Sequence, residues 1–186
     1  MNAENPSSHG AAPELIVSQW FNAAAPPTLS AMRGKVVVIE AFQMLCPGCV
    51  AHGLPQAARV RAAFPASEVE VIGLHTVFEH HDAMTPVSLL AFLHEYRIDY
   101  PVGVDLHSAD GIPRTMRAYG MRGTPTLIVI DQAGMIRGQW FGQVADLTVG
   151  ALIGNLLRGE RIDIARETGR SAGLDPPVQL NCCPLT

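Results

Sequence analysis

Two cysteines three residues apart, Cys46 and Cys49, enclose Pro47 and Gly48 between the apolar stretch 36–39 and a stretch of helical character at 50–64. A pair with this spacing can close a small disulfide and open it again. The attacking species in such chemistry is the thiolate, and a helix start favours it. Unpaired N–H groups and the positive dipole end bring cysteine pKa values in such motifs to about 3.5–7.5. Pro47 suits the first helical position, where a missing N–H is no loss. The spacing makes Cys46 the N-cap and attacking thiol, with Pro47 and Gly48 on the side a substrate approaches. Cys49, one turn further in, is the second thiol, which expels the substrate from a mixed disulfide. Half of a zinc site has the same spacing, so the motif alone leaves both chemistries open.

Such a pair needs a rigid platform, and the pattern around it supplies one. Residues 35–42 are apolar and β-branched, the look of a strand covered on both faces. Residues 47–64 read as a helix ending before Pro65, and 68–74 as a second buried strand, which together make a β-α-β unit with a parallel pair. Before it, 15–21 reads as a short strand and 23–33 as a loop. After it, 75–85 reads as a polar, histidine-rich loop and 86–96 as a helix capped by Thr85, with Pro86 in its first turn. A strand at 100–104, a short helix at 112–119 and two strands at 126–130 and 135–141, joined by Asp131-Gln132-Ala133-Gly134, lead to an amphipathic helix at 147–157. This gives an α/β chain in three parts: an N-terminal tail (1–13), a domain (14–158) and a C-terminal tail (159–186) read as loose and carrying Cys182 and Cys183.

Composition narrows the function classes. The chain has 186 residues, 48% hydrophobic and 16% charged, enough for one core that needs no disulfide scaffold. Its four cysteines fall as two close pairs, whereas a structural framework would join distant segments. A net charge of −4 offers no basic face to nucleic acid or to an anionic membrane. The first 14 residues lack the basic start and apolar stretch of a secretory signal, and no run approaches the roughly 18 apolar residues of a membrane span. The expectation is a cytoplasmic protein, or a periplasmic one if a leader has been removed.

The order of elements and three motifs resemble the thioredoxin superfamily, and most closely its thiol-disulfide oxidoreductases of the TlpA and ResA type. The motifs are the strand leading into Cys46-Pro47-Gly48-Cys49, the segment Gly123-Thr124-Pro125-Thr126, and the hairpin that follows it. The helix at 86–96, inserted between core strands, is similar to that family and to peroxiredoxins. The resemblance implies a central mixed sheet flanked by helices. It implies that the Thr124–Pro125 bond is cis and lies against the cysteine pair, exposing the Thr124 backbone so that a substrate strand can pair with it. It also implies that Glu40, six residues before Cys46, is a buried acid that exchanges a proton with Cys49. Strand alternation puts Glu40, Phe42 and Met44 on one face. The implied partners are protein or small-molecule disulfides and a reductase. No organic cofactor is implied, because the sulfur pair itself holds the two electrons.

Departures from the pattern matter. Leu45 stands where most relatives have Trp, and Pro-Gly between the cysteines does not set the direction of electron flow. A peroxiredoxin would carry Thr or Ser three residues before its cysteine and Pro seven before it, where this chain has Gln43 and Ile39. A soft-metal protein would join Cys46 and Cys49 to Cys182 and Cys183, with the histidines at 75, 80, 81 and 107 in reserve, but adjacent cysteines ligate one ion poorly. The predicted catalytic sites therefore contain no metal ligand. His52, on the side of the helix that carries the pair, reads as an ordinary exposed histidine, and Phe42, Met44, Leu45 and Met121 as an apolar rim. The tail cysteines read as a candidate redox arm that swings to Cys46.

Overall fold

The structure is a computed structural model that describes residues 10–159 and the backbone of residues 183–184. Among the described residues eight strands form in chain order: β1 (Val17–Phe21), β2 (Val36–Phe42), β3 (Val69–His75), β4 (Val102–Asp105), β5 (Gly123–Thr124), β6 (Thr126–Ile130), β7 (Ile136–Phe141) and β8 (Cys183–Pro184). Six of them make one mixed sheet in the order β1-β4-β3-β2-β6-β7, and β5 pairs with β8 apart from it. The β2–β3 and β3–β4 pairs are parallel, while β1–β4, β2–β6 and β6–β7 are antiparallel. The helices are α1 (Leu54–Ala63), α2 (Pro86–Glu95), α3 (Arg114–Ala118) and α4 (Asp146–Leu157).

Every residue of β2 is buried, as its uninterrupted apolar run predicts. Alternation divides it between two cores. Val36, Val38 and Phe42 pack with Leu54, Ala57 and Val60 of α1 and Val149, Leu152 and Ile153 of α4, while Val37, Ile39 and Ala41 pack with Met116, Tyr119 and Met121 on the other face. At about 1.5–3 kcal/mol for each large apolar side chain fully buried, these two layers supply the main force that holds β2 rigid. The strand that delivers the cysteines is thus clamped from both sides.

Several elements differ from their predicted extents for local reasons. The helix after the cysteines is continuous from residue 47 to 63, but its Cys49–Gly53 turn is π-helical. Pro55 follows, lacking an N–H and carrying a ring that crowds the preceding turn, and the wider winding ahead of it relieves that conflict. β3 extends to His75, predicted to begin a loop, because its ladder continues opposite Phe42 and Val104. α3 is shorter than predicted. Its start is fixed from β4, where the Asp105 carboxylate accepts the Thr115 and Met116 N–H groups at 2.8 and 2.9 Å. α2 begins as predicted, with Thr85 Oγ1 accepting the Ser88 N–H. Residues 10–13, read as tail, run along the β6–β7 turn, where the Ala12 N–H donates to the Gly134 carbonyl at 2.9 Å.

The C-terminal part departs most. Residues 160–182 and 185–186, including Cys182, lie outside the described residues, but Cys183–Pro184 forms a strand on β5 where a loose tail is predicted. Among the described residues no helix is long and apolar enough to cross a membrane.

Candidate active site

A three-residue turn after β2, Gln43 to Leu45, carries the chain to Cys46, whose N–H donates to the Gln43 carbonyl at 3.2 Å. Gln43 is buried, and its side-chain oxygen accepts the Phe78 N–H, tying this turn to the segment beyond β3. Cys46 immediately precedes the first helical residue, and its carbonyl accepts the Val50 N–H at 3.1 Å. Its Sγ accepts the Cys49 N–H at 3.3 Å, as an N-cap side chain does, and its thiol donates to the Thr124 carbonyl at 3.5 Å. Both cysteines are thiols, and both are buried, Cys46 with 1% and Cys49 with 0% of its surface exposed.

The sulfurs and Glu40 are coupled. Burial, then the hydrogen bond and the negative charge of Cys46, push the Cys49 thiol far above its ordinary range. Glu40, buried in β2, has its carboxyl pushed up from 4.5 to about 8, first by burial and second by the Cys46 charge. In both cases a negative charge on the Cys46 sulfur disfavours ionisation of its neighbour. Glu40 Oε1 has no hydrogen-bond partner. It is pressed against Gly53, where a Cβ would overlap Oε1 and come within 3.1 Å of Pro125 Cβ.

The third wall is the segment after α3. The Thr124–Pro125 peptide bond is cis, the Pro125 carbonyl accepts the Gly142 N–H at 2.8 Å, and Thr126 Oγ1 donates to the Gly123 carbonyl at 2.7 Å. Because Thr126 pairs with Ala41 in the β2–β6 ladder, Pro125 is held at the end of β2, beside the cysteines and Glu40. Arg122, next to this segment, stacks on the Phe141 ring at 5.5 Å. Cys46, Cys49, Glu40, Thr124 and Pro125 thus meet in one place, with Gly48 buried beneath and Pro47 exposed at the rim.

A cavity of about 250 Å³ leads to Glu40 past His52, Gly53 and Gln56. His52 is half-buried, not exposed as expected, and its Nε2 has no partner. Gln56 donates to the Val144 carbonyl and to Asp146, giving the cavity a polar mouth. A larger cavity, about 410 Å³, lies between α1 and residues 96–100 and contains neither cysteine. Of the expected apolar rim, only Leu45 is exposed. Phe42, Met44 and Met121 are core, with Met121 on the opposite face of the sheet.

Two residues of the site escaped sequence reasoning. Gly53 gave a signal, since a glycine inside a helix costs about 1 kcal/mol relative to Ala and needs a reason. Gln43 gave none. The other histidines lie elsewhere: His75 is buried against Phe42, its pKa lowered to about 4 by burial and then by the His107 charge. His81 meets His107 edge to face at 4.9 Å. Among the described residues no three His, Cys, Asp or Glu side chains are grouped to hold a metal ion.

The AhpC/TSA family matches residues 11–139. Protein DipZ of Mycobacterium bovis (strain ATCC BAA-935 / AF2122/97) is 30% identical over 139 residues, covering 73% of this chain. The chain spans 19% of the length of that relative. A crystal structure of the thioredoxin-like superfamily protein SPOA0173 is 64% identical, with a TM-score of 0.79, over 80% of this chain and 96% of that one. A thiol-disulfide isomerase from Corynebacterium glutamicum is 50% identical, with a TM-score of 0.75, over 78% of this chain and 96% of that one. Fold, motif order and family match lead to one placement: this chain belongs to the AhpC/TSA family, within the thioredoxin superfamily.

Proposed function

We propose that the protein is a thiol-disulfide oxidoreductase that exchanges two electrons between its Cys46–Cys49 pair and disulfides of protein or small-molecule partners. The observation that carries this reading is the position of Cys46 Sγ, which accepts the Cys49 N–H at the helix start while touching the Thr124 carbonyl. A substrate strand docked on Thr124 brings its disulfide to that sulfur.

In the reducing direction, the Cys46 thiolate attacks one substrate sulfur. The substrate S–S bond breaks, a mixed disulfide forms, and one substrate thiolate leaves. Cys46 is then neutral, so its charge no longer raises the Glu40 pKa, and Glu40 ionises more readily. The Glu40 carboxylate takes the Cys49 proton, and the Cys49 thiolate attacks Cys46 Sγ. The Cys46–Cys49 disulfide closes, and the second substrate thiolate leaves with its electrons. The reverse sequence oxidises a dithiol. The cavity past His52 gives Glu40 a route for proton exchange with solvent. An external thiol or reductase returns the pair to its starting state.

Membership of the AhpC/TSA family keeps a thiol peroxidase as the second reading. Against it, Ile39 offers no polar group, and Gln43 is committed to the Phe78 N–H and Glu79. The deciding experiment uses Cys49→Ser protein and insulin as the disulfide probe. A covalent insulin adduct on Cys46, released by dithiothreitol and absent in Cys46→Ser, is expected. Rapid peroxide consumption without any adduct would favour the peroxidase.

A further inference from the structure

The edge that a substrate strand would use is already occupied by this chain. β8 lies antiparallel to β5, with Thr124 opposite Cys183 and Gly123 opposite Pro184. Directly opposed residues in such a ladder have Cα atoms about 4.5–5.5 Å apart. Thr124 is the residue whose carbonyl receives the Cys46 thiol at 3.5 Å. A cysteine backbone is therefore fixed one strand spacing from the residue in contact with the attacking sulfur. Pro184 is tolerated because a short edge strand has positions that need no donor. A second observation agrees: Cys46 is 1% exposed, although an attacking thiol must be reached from outside.

We infer that the C-terminal strand is a tethered substrate for this site, and that Cys183 exchanges disulfides with Cys46. The inference rests on the oxidoreductase reading above. In the oxidised protein, the Cys183 thiolate attacks Cys46 Sγ of the Cys46–Cys49 disulfide. That bond breaks, the Cys46–Cys183 bond forms, and Cys49 leaves as a thiolate that takes up the proton Cys183 gave. No net electrons move, so no external oxidant or reductant is required. The strand parks the disulfide away from Cys49 and shields Cys46, and an incoming partner must displace it. Tethering puts this thiol at a millimolar-order effective concentration, so it outcompetes dilute thiols but yields to a partner with more strand to pair.

The test uses the full-length chain carrying Cys49→Ser, oxidised with diamide at protein concentrations spanning about 100-fold, then digested and mapped by mass spectrometry. A Cys46–Cys183 link is expected, with a yield independent of concentration. Adding Cys183→Ser lowers the total intramolecular linkage of Cys46 to the tail cysteines about tenfold or more, whereas Cys182→Ser changes it less than about twofold. Equal loss with either serine variant, or only intermolecular dimers, overturns the inference. In parallel, the wild-type chain is equilibrated in a glutathione redox buffer, which covers the case of an unstable variant. Cys46 found only bridged to Cys49 or to glutathione sinks the tethered strand and leaves the oxidoreductase reading standing. Cys46 found in no disulfide at all sinks both.

Discussion

Glu40 links stability and chemistry in a way that one isosteric change separates. In the native chain its carboxyl loses its proton at about pH 8, against 4.5 for an ordinary glutamate. For an acid the sign is clear. Above pH 4.5 the unfolded chain has given up the proton that the native chain still holds, so raising the pH favours unfolding until the native group also ionises near pH 8. Each unit of difference is worth about 1.4 kcal/mol, so from pH 5 to pH 8 this group removes about 4 kcal/mol of stability. Glu40→Gln keeps the shape and cannot ionise. The assay is urea unfolding under reducing conditions at pH 5 and pH 8, followed by the fluorescence of Trp20 and Trp140. With a urea slope of about 2 kcal/mol per M, the midpoint should fall by about 2 M more between these pH values in the wild type than in the variant. The variant should also exchange disulfides about 100-fold more slowly, the scale of one general acid–base group. Parallel stability profiles for the two proteins would refute the burial argument, and an unchanged rate would refute the proton transfer.

Other perturbations act on the groups around Glu40 and on the helix starts. His75 should act with the opposite sign: its pKa falls from 6.5 to about 4, so it withdraws about 3 kcal/mol as the pH drops through that window. His75→Phe should flatten the acid limb of the stability profile, measured by the same unfolding series. Gly53→Ala forces a methyl group onto Glu40 Oε1 and toward Pro125, and should cost about 1–3 kcal/mol, read as a lowered Tm, together with slowed insulin reduction. Asp105→Ala leaves the Thr115 and Met116 N–H groups and the Thr76 hydroxyl without their acceptor. It should cost about 2–3 kcal/mol in denaturant unfolding with the Cys46–Cys49 chemistry intact.

Where one interaction dominates locally, the sequence is readable. The all-apolar β2, the Thr85 cap of α2 and the turn around Gly134 each announce themselves within a few residues. The helix start at Cys46 is readable for the same reason, since Pro47 directly after it opens the helix. What depends on contacts across the chain is not. The π-helical turn at Cys49–Gly53 answers to Pro55, but the space that Gly53, lacking a Cβ, leaves for the Glu40 carboxyl involves a different strand. Gln43 holds the Phe78 backbone 35 positions away, and nothing near either residue marks the pairing. Asp105 reaches across to start α3, shortening a helix that local periodicity extends. The Cys183–Pro184 strand is the extreme case, because two residues carry no strand signal of their own and form one only against β5.

Whether Cys46 and Cys49 act as one two-electron unit is tested most directly by a redox titration. Protein carrying Cys182→Ser and Cys183→Ser is equilibrated across dithiothreitol buffers of graded potential, and the remaining thiols are alkylated and counted by mass. Both thiols should disappear together along a two-electron curve, with a tenfold change in ratio for each roughly 30 mV. Thiols lost one at a time, or still alkylated at the most oxidising potential, would contradict it.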